Sequence, residues 1–376
     1  MRYSYIFLYF LLLNCNSKKN DDFLIKTGEV NILSKDKISI EGQFVENNKD
    51  LFFSYSNATR NIHIYDGKKA VDSLSLHIKN LQANKIVVKN TDSIFIIDYT
   101  TKIIRHINIR GKIIKEIDVQ KISNQDTINP YLFKNPEAIN DQNIILDVGI
   151  SKNKYTNLTH QQLIDSHKHI PRFIKYNGQS IHYPDFNYTD IEKLTNKRKE
   201  DLFVDYSNVS LSKKYIVYTM QFSNHLYVFD YNLKLVKTVP IVSDFTGTDI
   251  NKDFSFYNDS EERGRIYEKN YDYATLTKYI VYNKYKDKFY VLLAHKTDIL
   301  KKENLIFKRS NRDFSILEYD GELNKLNEQK FKKGQYDIYK PIFINSEGNL
   351  LLNSNNELNS NFSPDKIRYD IYKISD

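Results

Sequence analysis

The sequence predicts an all-β protein: a six-bladed β-propeller, with seven blades as the alternative, closed by an N-terminal strand and preceded by a cleaved signal peptide. Three observations predict it. Apolar residues alternate with period two over short segments from Gly28 onward. Tight-turn signals recur between paired segments. Short and long connections fall on opposite parities of the strand order.

The strand segments are rich in Ile, Val, Tyr and Phe, the residues that suit a pleated, half-buried surface. Examples are Asn61–Asp66 (NIHIYD), Ser93–Asp98 (SIFIID), His225–Asp230 (HLYVFD) and Phe314–Tyr319 (FSILEY). Several run through a turn into a further strand, with turns near Gly67, Gly111, Gly178, Asn232 and Gly321. Asp66-Gly67 and Asp320-Gly321 fit tight hairpins because Asp and Gly tolerate the positive φ such turns need. A β-unit that repeats about every 40 to 50 residues, with insertions, is the mark of a propeller. Six four-stranded units can be laid out: 42–76, 83–119, 138–183, 202–241, 272–331 and 337–375. The last has three strands of its own. Glu29–Leu33 or Ile38–Ile40 would supply the fourth and hide both edges of the array.

Strands a to d of an antiparallel unit place the a–b and c–d turns at one end and the b–c and d–a connections at the other. The predicted a–b turns are short: Asn47–Asp50, Asn90–Asp92, Gln221–Asn224, Lys284–Asp287 and Asn345–Gly348. The long insertions, Ser151–Pro171, Pro184–Asp201, Val242–Tyr271, Lys296–Arg312 and Ser354–Lys366, all take the other parity.

Ahead of this domain (residues 28–376) lie two short segments. Residues 1–14 read as a signal peptide: Arg2 is the positive start and Tyr5–Leu13 (YIFLYFLLL) the apolar stretch, far shorter than the roughly 20 residues of a membrane span. It ends in Leu11-Leu12-Leu13-Asn14-Cys15, which resembles a bacterial lipobox with Cys15 as the lipid-attachment residue; Asn14 stands where a smaller residue is usual. Residues 15–27 read as a lipidated polar tether. Two or more acyl chains hold a protein stably, where one holds it marginally. The expected location is an outer membrane, facing the periplasm or the cell surface.

Composition narrows the rest. Forty per cent hydrophobic residues suffice for a core, and a single cysteine excludes an internal disulfide framework or a multi-cysteine zinc site. The net charge of +8 is spread along the chain without a basic arm or finger, so no nucleic-acid partner is expected.

The stretches Tyr282–Leu293 (YNKYKDKFYVLL) and Phe314–Phe331 (FSILEYDGELNKLNEQKF), with the C-terminal IRYDIYKI, are similar to a family of uncharacterised Bacteroidota lipoproteins. The resemblance implies a tethered six-bladed, propeller-like domain and carries no functional residues with it.

No Gly-x-Ser-x-Gly, His-Glu-x-x-His, P-loop or Gly-x-Gly-x-x-Gly motif is present, so no catalytic residue, metal or cofactor is assigned. His160, His167 and His169 lack the i, i+4 spacing of a helical metal pair. Thr189–Glu200 (TDIEKLTNKRKE) opens with a capping box and ends basic, as a solvated helix does. The longest insertion carries Arg263, Arg265 and Tyr267, residue types enriched where partners bind. With Tyr188 they are the candidate ligand-binding residues. The expectation is a binding module for a protein, peptide or glycan, and the alternative is a hydrolase or lactonase-like enzyme using the central channel.

Overall fold

The computed structural model describes residues 22–33, 39–56, 58–66, 70–75, 83–98, 101, 103–118, 128–131, 144–150, 173–177, 179–186, 190, 207–221, 223–246, 275–296 and 312–375. They form an all-β propeller fold of four-stranded antiparallel sheets. Sheet I is β2 (Ile40–Glu46), β3 (Lys49–Ser56), β4 (Asn61–Tyr65) and β5 (Ala70–Ser75). Sheet II is β6 (Ala83–Asn90), β7 (Ser93–Asp98), β8 (Ile103–Ile107) and β9 (Ile113–Asp118). Sheet III is β10 (Ile128–Tyr131), β11 (Ile144–Ile150), β12 (Phe173–Tyr176) and β13 (Ile181–His182). Sheet IV is β14 (Ser207–Leu211), β15 (Ile216–Met220), β16 (His225–Phe229) and β17 (Leu235–Pro240). Sheet V is β18 (Leu276–Asn283), β19 (Lys288–Ala294), β20 (Phe314–Asp320) and β21 (Lys325–Phe331).

Sheet VI joins the two chain ends. β22 (Phe343–Ile344), β23 (Leu350–Asn353) and β24 (Lys366–Ile374) pair in order, and β1 (Leu24–Leu33) adds antiparallel to β24. β1 begins at Leu24, inside the stretch 15–27. A register shift between Lys26 and Gly28 breaks the alternation there, so the first residues of β1 do not look like a strand.

Apolar side chains are buried between neighbouring sheets, not within one. Ile62, Ile64, Ile86, Val88 and Ile96 form the core between sheets I and II. Val217, Val228, Phe289 and Val291 do so between IV and V. Phe52 and Tyr65 of sheet I meet Phe343, Leu351 and Tyr369 of sheet VI, with the Phe52 and Tyr369 rings stacked at 5.8 Å. Each such aromatic contributes about 1.5–3 kcal/mol through burial.

The first strands of successive sheets lie innermost: β2 meets β6, β14 meets β18, and β18 meets β22. Three contacts show that a–b and c–d turns share one end. Asp287 (a–b turn) lies against Gly321 (c–d turn) in sheet V, Ile109 N donates to Thr91 O in sheet II (2.7 Å), and the Tyr231 hydroxyl donates to Ser212 O in sheet IV.

Two turn assignments need correction. In sheet IV the a–b turn is 212–215, and Gln221–Asn224 connects b to c. Ser207–Leu211 (SNVSL) is a buried strand that reads as a loop because packing, not hydrophobicity, places it there. Sheet III starts at Ile128, ahead of the expected Ala138, since Asn129 and Pro130 mask its first strand. The Asp320-Gly321 turn also differs from a two-residue hairpin. Positive φ falls at Leu323 (62°), as at Leu233 (68°) and Gly111 (75°) in the matching turns. In each, an Asx side chain (Asn108, Asp230, Asp320) caps the turn by accepting backbone N–H groups. Gly321 is needed for space: a Cβ there would stand 2.7 Å from the Asp287 carboxylate.

Candidate functional site

A cavity of about 370 Å³ lies among the innermost strands β2, β6, β18 and β22. Alternation builds its wall. Ile86 and Val88 of β6 turn into the core, while Lys85, Val87 and Lys89 are half-buried and line the cavity. On β2, Phe44 is buried and Gln43 and Val45 line it. Gly42 has no room for a side chain, because a Cβ would stand 2.4 Å from the Phe53 ring packed across it.

A register shift between Ile40 and Gly42 places a bulge at Glu41. Bulges re-aim side chains, and Glu41 stands 4.0 Å from the Lys85 ammonium. Burial holds Lys85 below the ordinary lysine range, and the Glu41 carboxylate opposes that shift. Burial, then its 2.6 Å hydrogen bond to Asp287, pushes the Tyr282 phenol up to about 12.

The short-turn end is laced by bonds between sheets. Thr91 donates from N and Oγ1 to Glu46 (3.1 and 2.7 Å), joining sheets II and I. Ser346 donates from N and Oγ to Asp50 (2.8 and 2.9 Å), joining VI and I, and Gln43 Nε2 adds a third bond at 2.8 Å. Asn283 Nδ2 donates to Gly348 O (2.8 Å), joining V and VI.

The other end differs. The root of the connection after β17 is gripped by sheet V: Ser243 Oγ and Asp244 N donate to the buried Glu328 (2.6 and 2.8 Å), and Lys325 donates to Glu328 and to Val242 O. Buried His295 lies beside it, bonded to Ser315 (2.8 Å) and stacked on Phe245. The amides of Asn208 and Gln221 are buried here with no hydrogen-bond partner among the described residues. A second cavity of about 260 Å³ is lined by Ser39, Asp337, Lys340, Asn353, Asn355 and Glu357. Burial raises the Asp337 carboxyl above its usual range, against the Tyr339 N–H bond and Lys340. Among the described residues no three His, Cys, Asp or Glu side chains gather in a set fit for a metal ion.

Cys15, Tyr188, Arg263, Arg265 and Tyr267 lie outside the described residues, as do His160, His167, His169 and nearly all of Thr189–Glu200. Sequence reasoning missed Glu41, Lys85 and Lys89. The only signal was a pair of lysines, Lys85 and Lys89, flanking the apolar run Ile86–Val88, which any half-solvated strand could show.

The sequence matches no family model and no curated protein. Among solved structures, a member of the DUF4221 family from Bacteroides vulgatus is similar with a TM-score of 0.68 at 16% identity, covering 93% of this chain and 97% of that one. A candidate exported protein from Bacteroides fragilis follows at TM-score 0.49 and 11% identity, covering 96% and 98%. Virginiamycin B lyase from Staphylococcus aureus scores 0.40 at 10% identity, covering 91% and 97%. The first likeness shows the fold and no more, and the other two are too loose to carry an argument.

Proposed function

We infer that the chain is a lipid-anchored envelope protein whose six sheets complete a six-bladed ring closed by β1. In this reading it binds a protein, peptide or glycan partner at the end bearing the long connections. One observation carries the reading: the two ends are built differently. All five long insertions join b to c or d to a by the strand order. Among the described residues the opposite end carries short turns, several of whose polar groups bond between sheets; the β10–β11 connection, 132–143, is the longer exception by strand order. Loops held by a rigid scaffold are where binding residues collect, and uncompensated buried amides mark an end not optimised for stability. The packing of Phe52 on Tyr369 and the pairing of β1 with β24 support a closed ring. The lipobox-like stretch supports a tether at Cys15, on an outer membrane.

Photo-crosslinking residues placed at positions 188, 263, 265 and 267 in intact cells should give discrete adducts. The same probe at Asn232 or Glu347, in the short turns, should give none. Adducts from the short-turn end alone would overturn the reading. Separately, a fatty-acid analogue should label the wild type and not Cys15→Ala; equal labelling would remove the tether.

A further inference from the structure

The central cavity has a composition of its own. Among the described residues, three ammonium groups (Lys85, Lys89, Lys284) line it against one carboxylate, Glu41, and the rest of that lining is largely apolar, with Val45, Val87 and Ile342 among its residues. Its volume falls within the range of small-molecule sites, which join an apolar lining to a few placed polar groups.

Lys85 is the group that asks for a ligand. Its side chain is 17% exposed, and its only ion pair among the described residues is Glu41, at 4.0 Å, too far for a hydrogen bond. A buried charge costs several kcal/mol unless its partner geometry is good and its donors are satisfied. Glu41 itself is held at the bulge of β2 and is more exposed than Lys85, so it compensates the ammonium poorly. An acidic group entering the cavity would take the donors that Glu41 leaves unmet.

We propose that the channel binds a small organic anion with an apolar body, its acidic group on Lys85 and its body against the valine and isoleucine side chains of the inner strands. Glu41 competes with that anion for Lys85 and sets the affinity. Lys89 and Lys284 add attraction from farther along the cavity. The site rests on Lys85 and Glu41 of the inner strands, and the partner reading on residues 188, 263, 265 and 267, so each is tested by its own variants.

The test is a ¹⁹F NMR titration of the full chain in detergent, with a micelle blank subtracted. The probes are 4-(trifluoromethyl)benzoate and its neutral isostere 4-(trifluoromethyl)benzamide. The carboxylate should bind saturably at one site, at least tenfold more tightly than the amide. Lys85→Met should weaken it about tenfold, to the level of the amide, and Lys85→Arg should keep most of the affinity. Glu41→Gln should strengthen binding about threefold or more, an outcome that no folding defect produces. Equal affinity for the two probes, unchanged affinity in Lys85→Met, or no saturable binding of the carboxylate would each overturn the proposal.

Discussion

The Lys26 ammonium lies 2.9 Å from the Asp370 carboxylate, joining the first strand of the chain to the last. The two partners are unequal. Lys26 is well exposed, whereas Asp370 is buried and also accepts from the Tyr336 hydroxyl and Ser354 Oγ, each at 2.9 Å. Lys26→Met should therefore cost less than about 1 kcal/mol. Asp370→Ala removes the carboxylate acceptor of two buried hydroxyls, which among the described residues keep only Tyr372 and Arg368 as partners, and should cost about 2–4 kcal/mol. Urea midpoints of the two variants should separate accordingly; equal shifts would mean the carboxylate serves only the surface pair.

Removing residues 22–33 should expose the edge of β24. Hydrogen exchange at 366–374 should then rise steeply, with smaller effects in sheets II and III. Protection of β24 at the wild-type level would contradict ring closure by β1.

Glu318 is a fully buried carboxylate that accepts from Lys288 Nζ (2.9 Å), the Tyr290 hydroxyl (3.1 Å) and Asn327 Nδ2 (2.6 Å). Removing one partner of such a set leaves the others unpaired in a low-dielectric site. Glu318→Ala should cost about 3–5 kcal/mol, read as the loss in denaturant midpoint. Glu322→Ala, which breaks the exposed pair with Lys214, should leave the midpoint nearly unchanged.

Gly42→Ala forces a methyl group into the Phe53 ring and should destabilise by about 1–3 kcal/mol. Phe53→Leu in the same chain should recover part of that loss, because the two sites share one volume. Additive losses in thermal or denaturant scans would show that the close approach does not limit the position.

His295 makes stability depend on pH. Burial first, and Lys330 second, hold its imidazole down at about 4, with Glu328 and Asp313 pulling the other way. Its unfolded value is about 6.5, so the unfolded chain binds more protons between these two values. Stability should fall as pH drops from about 6.5 to about 4, by up to about 3 kcal/mol, with no further loss from this group below that. His295→Gln, which can still reach Ser315, should flatten the slope. An unchanged slope would assign it to the carboxylates.

The all-β class, the recurrence of four-stranded units and the parity of the five long insertions were legible in the amino-acid sequence, because each is a local matter. Period-two alternation and Asx-led turns depend on neighbours a few residues apart. Strands whose burial comes from other sheets were not legible, as Ser207–Leu211 and Ile128–Tyr131 show. Nor was the reason for Gly321, which answers to Asp287 of a different turn and not to its own φ. The channel belongs to this second kind. Glu41 and Lys85 sit in strands of two different sheets, and only the packing that brings β2 beside β6 turns two ordinary polar residues into a half-buried, poorly matched pair. Sequence sets which side of a strand is polar; the packing of inner strands from several sheets beside one another decides that this side faces a cavity and not bulk water.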